Sequence, residues 1–342
     1  MGSKLRAVMV GCGGMSREWL KFLQPMEDVE IVGLVDIVEA SARARAEESG
    51  LEGVFVGSNL SKALDSTKPD VVFDITVPEA HADVTITALE HGCHVLGEKP
   101  MADSLENARR MIEAARRAGR IYAVTQNRRY DSRIRRLRAY LQSGELGDIT
   151  TVNNDFYIGA HFGGFRDRME HVLLLDMAIH TFDAARFLMG ADPLAVYCKD
   201  WNPRGSWYDH DASAVAIFEM SNGIIYTYRG SWCCEGLNTT WESDWRIQTS
   251  KGCARWDGGD LLVMQRVLSA NGFHSELEQV QMPETLIADK AGGHIGVVRE
   301  FLDCVRAGAT PETTCEDNIW SLAMVLAAVE SSERGERVEI SV

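Results

Sequence analysis

Asp176, His180 and Asp183 lie four and three residues apart in the strongly apolar run 172–189, so on a helix their side chains stack along one face. A histidine titrates near neutral pH and can shuttle a proton, and a carboxylate one turn before it can orient the imidazole or bind a hydroxyl. The chemistry on offer is acid–base work on an alcohol or carbonyl. Two rival uses stay open. A lone helical histidine is often structural, and Asp176, His180, His171 and Asp183 could ligate a metal, although the H-E-x-x-H arrangement of zinc helices is missing; no metal is expected.

A second set of residues suits phosphate. Gly11-Cys12-Gly13-Gly14-Met15-Ser16 sits between an apolar strand pattern and a helix pattern. There the first glycine permits a tight turn, the second lets the main chain approach a pyrophosphate, and the anion rests on the helix N-terminus. The third position of the fingerprint is Ser16, small enough for helix–strand packing. Asp36 ends the next strand and is followed by Ile37. Its carboxylate can accept bonds from both adenosine ribose hydroxyls and repels a 2′-phosphate, which favours NAD over NADP. A strand-end aspartate can also merely cap the following helix.

These residues need a scaffold. Up to about residue 125 the chain alternates Val- and Ile-rich strands, near residues 5–10, 30–35, 54–56, 71–75, 94–96 and 122–125, with helical segments, as a doubly wound parallel sheet requires. Residues 128–141 then read as a basic helix. Beyond it come long alternating strands at 150–157, 194–200, 213–220, 224–231, 244–249 and 261–267, joined by turn signals such as Ser221-Asn222-Gly223. The helix at 172–189 interrupts them and two helices close the chain. The expected class is α/β: a doubly wound Rossmann domain over residues 1–125, and an α+β domain with a large, mostly antiparallel open sheet over 126–342. Six of the eight tryptophans fall between Trp201 and Trp256, in the expected antiparallel sheet, as core or subunit-interface residues, and a homodimer or homotetramer on the sheet is expected.

Composition narrows the function classes. With 342 residues, 45% hydrophobic and 25% charged, the chain has the make-up of a folded globular protein. A formal charge of −15 would repel a phosphate backbone, so no nucleic-acid partner is expected. There is neither a signal-peptide core nor a membrane-spanning run, and the expected location is cytoplasmic, with no membrane partner. Eight cysteines without C-x-x-C spacing read as reduced core residues, with the adjacent Cys233 and Cys234 given at most a small redox role.

Glu98-Lys99-Pro100 follows the strand His94–Gly97 and stands downstream of the glycine motif. In that setting, with Asp176-x-x-x-His180 later in the chain, the sequence resembles the glucose-fructose oxidoreductase / inositol dehydrogenase / rhizopine-catabolism (GFO/IDH/MocA) family. The resemblance spans nearly the whole chain. It implies an NAD(H)-dependent oxidoreductase interconverting a secondary alcohol and a ketone or lactone on a small polyhydroxylated substrate, a sugar or cyclitol. Lys99 is then the electrophile that polarises the substrate oxygen, His180 the proton shuttle and Asp176 the substrate anchor. Around the cofactor the resemblance implies Gly11, Gly13, Gly14, Met15, Asp36, Ile37, Thr76, Pro78, His81, Glu98, Lys99 and Arg129. Around the substrate it implies Lys99, Asp176 and His180, with Tyr157, His161 and His171 as further candidates. The approach Met169-Glu170-His171 departs from the family's usual glycines. Two alternatives remain: a glycosidase or epimerase that oxidises its sugar transiently and returns the hydride, and a non-enzymatic nucleotide or sugar sensor.

Overall fold

Val8, Met9, Val72, Phe73, Val95 and Leu96 are all fully buried, as residues of strands covered on both faces must be. In the computed structural model, which describes residues 3–286 and 288–342, they belong to a parallel sheet of β1 (Leu5–Val10), β2 (Val29–Val35), β3 (Phe55–Gly57), β4 (Val71–Asp74), β5 (His94–Gly97) and β6 (Tyr122–Val124). The strand order β3-β2-β1-β4-β5-β6 reverses direction between β1 and β4, which opens a crevice at the carboxyl ends of those strands. Connecting them are α1 (Gly14–Leu23), α2 (Glu39–Glu48), α3 (Leu60–Thr67), α4 (Pro78–Glu90) and α5 (Leu105–Ala118). Helix α5 begins where the Ser104 hydroxyl accepts the Asn107 amide and ends on a left-handed Gly119, a local start and stop.

The second unit begins with a departure from expectation. Residues 128–141 are not one helix: a 3-10 turn, Asn127–Tyr130, precedes α6 (Ser132–Gln142). Asp131 divides them, extended in backbone and accepting the Arg133 amide at 2.7 Å as the cap of α6. The sheet follows with β7 (Ile149–Tyr157). The expected helix at 172–189 is instead a π-helical stretch, Leu173–Ala178, continuing into α7 (Ile179–Met189). After it come β8 (Pro193–Trp201), β9 (Ser213–Met220), β10 (Ile225–Ser231), β11 (Asp244–Thr249), β12 (Gly252–Trp256), β13 (Leu262–Ser269) and β14 (Glu276–Val280). Helices α8 (His294–Ala307) and α9 (Cys315–Arg334) and the short β15 (Val338–Glu339) complete the chain.

This sheet runs β14-β13-β12-β11-β7-β10-β9-β8-β15, antiparallel at its pairings except for the parallel contact of β7 with β10. Strands β12, β14 and β15 are short or weakly apolar and carry no strand signal in the sequence. Phe182 of α7 meets the rings of Phe218 and Tyr228 at 4.8 and 5.2 Å, so the helix carrying His180 is anchored on β9 and β10. Trp232, Trp245 and Trp256 are core residues, whereas Trp201 and Trp241 are exposed.

One boundary also differs. Residues 294–319, expected with the second domain, cluster with the first unit, which comprises them and the chain up to Gln126; the second unit holds 127–293 and 320–342. Phe301 approaches the Phe73 ring at 6.5 Å, Arg299 forks onto Asp28 at 2.6 and 3.1 Å, and Thr313 O accepts the Val124 amide at 2.9 Å. These contacts join residues far apart in sequence, so no local pattern announces them. All eight cysteines are free thiols, and burial pushes Cys198 up to about 12. Among the described residues no helix is long and apolar enough to cross a membrane.

Candidate active site

The glycine turn after β1 is built by main-chain constraints. Gly11 has φ of +91°, and a Cβ there would lie 2.5 Å from the Ile75 carbonyl oxygen, so no other residue fits without a shift. Around Gly13 and Gly14 the space a side chain would fill is open. Helix α1 starts there with no side-chain cap and no acidic residue in its first turn, which leaves its first N–H groups and positive end for an anion. This cradle fits a pyrophosphate. Ser16 does more than save space: its hydroxyl donates to Gly13 O at 2.6 Å and accepts from Arg45 Nε at 2.9 Å, while Arg45 Nη2 donates to Gly13 O at 3.0 Å. Arg45 had no sequence signal pointing to the loop.

Asp36, at the end of β2, accepts the amides of Cys12 and Val38, each at 2.8 Å. It therefore ties the glycine turn to the chain that leads into α2. The nearby cations are committed elsewhere: Arg45 is buried against the loop and Arg43 pairs with Glu39 at 2.8 Å. Met15 and Ile37 are exposed on the same rim of the sheet.

Beyond β5, Glu98 is buried and accepts Trp19 Nε1 at 2.8 Å and the Lys99 amide at 3.2 Å; it is no solvated surface pair. The Lys99–Pro100 peptide is cis. His81 requires a correction. Expected as a cofactor contact, it is buried on α4 with Nδ1 3.0 Å from Pro100 O and Nε2 3.1 Å from Thr76 O, so both ring nitrogens brace the loops after β4 and β5. The Thr76 hydroxyl is spent on Asp74 at 2.6 Å, and Pro78 opens α4. His294, at the start of α8, is a residue whose role the sequence did not show. Burial holds its imidazole below the ordinary histidine value against the pull of Glu98, and the Lys99 charge adds to the lowering.

In the second unit Asp176 falls within the π-helical stretch and His180 on the first turn of α7; such bulges are frequent at functional positions. Arg166 reaches Asp176 with Nε at 2.8 Å and Nη2 at 3.3 Å. Asp183 and Arg129 meet each other. Asp183 is fully buried and accepts Arg129 at 2.7 and 2.6 Å and the Ser321 hydroxyl at 2.7 Å. The Arg129 fork, expected at the cofactor, is thus occupied by a buried structural partner.

Of the remaining candidates, His161 is exposed, stacked 3.7 Å from Trp207 and 2.8 Å from Glu235, and Tyr157 is half-buried on β7. His171 has left-handed backbone, φ +48°, and meets Asp200 at 2.6 Å. That hydrogen bond, opposed by burial and helped by Asp200, Asp211 and Glu333, holds its imidazole above the ordinary value. His171, Asp200 and Asp211 have ligand atoms close enough together to suit a cation, and His171 Nδ1 and the Asp200 carboxylate already share a hydrogen bond.

Comparison with known proteins agrees with this architecture. Residues 5–126 match the model of the oxidoreductase family with an NAD-binding Rossmann fold, and residues 134–255 match the GFO/IDH/MocA C-terminal domain. The chain is 26% identical over 337 residues to the 1,5-anhydro-D-fructose reductase of Ensifer adhaerens, covering 97% of each protein. It is 27% identical over 346 residues to the inositol 2-dehydrogenase of Streptomyces avermitilis, covering 99% of this chain and 95% of the relative. In fold it is similar to an oxidoreductase from Agrobacterium radiobacter solved with NAD+, L-tartaric acid and magnesium, with TM-score 0.86, 21% identity and 98% of both chains covered.

Proposed function

Because this chain belongs to the GFO/IDH/MocA oxidoreductase family, we propose that it is an NAD(H)-dependent dehydrogenase that interconverts a secondary alcohol and a ketone or lactone on a sugar or cyclitol. One observation carries the reading furthest: the open glycine cradle after β1 and Lys99 after β5 stand at the carboxyl ends of strands in one parallel sheet, on either side of β4, where such sheets bind ligands. The relatives that act on anhydrofructose and inositol by name share a polyhydroxylated ring as substrate.

In this reading the cradle and the first turn of α1 hold the pyrophosphate, Asp36 holds the adenosine ribose, and Thr76, Pro78 and Glu98 flank the nicotinamide half. Bound NAD supplies a hydride acceptor or donor. On oxidation His180 takes the hydroxyl proton, and the carbinol C–O single bond becomes C=O as hydride leaves carbon. Lys99 donates a hydrogen bond to that oxygen and stabilises the negative charge that develops on it. Asp176 binds a neighbouring hydroxyl and fixes the ring. Asp36 makes NAD the preferred cofactor over NADP.

The test is a panel of monosaccharides, inositols and their keto forms followed at the reduced-nicotinamide absorbance band. At least one member should show net NAD reduction or NADH oxidation. No absorbance change, with tightly retained NAD and an epimerised or cleaved sugar, would shift the assignment to transient oxidation. We also propose a homodimer or homotetramer built on the exposed face of the second sheet, where Tyr197, Trp201, Val215 and Ile217 alternate with inward residues of β8 and β9. Light scattering showing only monomer at micromolar concentration would defeat it.

A further inference from the structure

Asp176 is gripped by a residue outside its own helix. Arg166 stands in the short 3-10 turn Arg166–Arg168 and presents Nε and Nη2 side by side to the two oxygens of the carboxylate. Two rings hold the guanidinium in that pose: its Cζ lies 4.9 Å from the Phe162 ring centre and 4.8 Å from that of Phe165. They reach the same cation because Gly163 and Gly164, with φ of +70° and +72° and open space at both Cβ positions, reverse the chain between them. Burial does not explain the arrangement, since Phe162 and Phe165 are 42% and 63% exposed. Among the described residues, Arg166 Nη1 makes no hydrogen bond, and a third of the side chain remains open to solvent, 33% against 14% for Asp176.

We propose that Arg166 is a positioning and specificity residue of the substrate site, and that Arg166 with Asp176 reads two adjacent hydroxyls of a polyol. The inference rests on the assignment of Asp176 as substrate anchor and extends it. A carboxylate with both oxygens tied to one planar fork is held in one orientation. Beside that acceptor stands Nη1, a donor that cannot be deprotonated. A hydroxyl both donates and accepts, and two neighbouring hydroxyls match such a pair: one donates to Asp176 and the next accepts from Arg166. An ether, a ring carbon without oxygen or an isolated alcohol matches only half of it. The rings of Phe162 and Phe165, with centres 4.9 and 4.8 Å from Cζ, confine the guanidinium beside Asp176.

The experiment uses the full chain with NAD, the best polyol of the panel and its monodeoxy derivatives at the carbons flanking the oxidised one. Arg166→Met should raise KM for the parent polyol about tenfold or more, as loss of a charge-assisted hydrogen bond requires, measured below the variant's own melting temperature. Arg166→Lys should restore only part of this, because an ammonium keeps the charge but loses the fork. The decisive reading is the pairing of variant and substrate. One deoxy derivative should show raised KM with wild type, and for it Arg166→Met should cost less than for the parent polyol, only the positioning of Asp176 being left to lose. Unchanged KM in Arg166→Met, or an equal penalty on every derivative, would overturn the proposal while turnover by wild type leaves the dehydrogenase assignment standing. If no polyol is turned over and none shifts the wild-type melting temperature with NAD present, the sugar assignment falls and the proposal with it.

Discussion

Asp36, just past the end of β2, and Asp176, inside a π-helical stretch, are carboxylates held in opposite ways. Asp36 accepts two main-chain amides, Cys12 and Val38, whereas Asp176 is held by the Arg166 side chain. An acid held by main chain follows from the strand–turn–helix pattern itself and cannot be loosened without deforming the turn. One held by a side chain can be retuned by a single substitution. On the proposed reading, the first unit offers a cofactor cradle set by backbone geometry and the second a substrate anchor that is separately adjustable, which suits a family whose named relatives differ in substrate.

The strongest test of this contrast removes the groups assigned to chemistry. Lys99→Ala and His180→Ala should each lower turnover by about 10²-fold or more, roughly 2.7 kcal/mol, with NAD affinity nearly unchanged. Asp176→Ala should raise KM as well. Steady-state kinetics with NAD titration checks all three, and near-normal turnover in the first two would move the protein toward a sensor. Striking the cradle should do the reverse. Gly11→Ala forces a Cβ against Ile75 O in left-handed backbone, so it should destabilise the first unit by about 1–3 kcal/mol and weaken NAD binding; a melting curve identical to wild type would refute the constraint.

A smaller effect is expected at Asp36. NAD should bind at least tenfold tighter than NADP, about 1.4 kcal/mol, and Asp36→Ala should narrow the gap, because Arg43 and Arg45 are engaged elsewhere. Equal affinities in calorimetric titrations of the wild type would remove Asp36 from this role. The smallest effect concerns a pair near neither acid. Hydrogen bonding to Asp200 raises the folded-state value of His171, so the pair stabilises the fold fully below the unfolded value of about 6.5 and fades as pH rises through the raised one. His171→Gln should therefore lower the melting temperature more at about pH 5.5 than at about pH 9. Equal losses at both would mean the ring acts by packing alone.

What the sequence by itself determined is what neighbouring residues decide. The period of the apolar residues separated parallel from antiparallel regions, and Gly11, Gly13 and Gly14 marked the phosphate turn because their main-chain demands are local. Asp176 and His180 were marked by their spacing in one apolar run, and the structure divides them between the π-helical stretch and α7. Only the tertiary structure decided which acid each arginine meets. Arg129 took Asp183, Arg166 took Asp176, and Arg45 took the glycine loop. Nor could a local pattern show that β7 pairs in parallel with β10, that α8 clusters with the first unit, or that His81 braces two loops. Long charged side chains can satisfy their hydrogen bonds with many partners at equal local cost, so the choice among them is made by distant packing, whereas a backbone turn is settled by the few residues that form it.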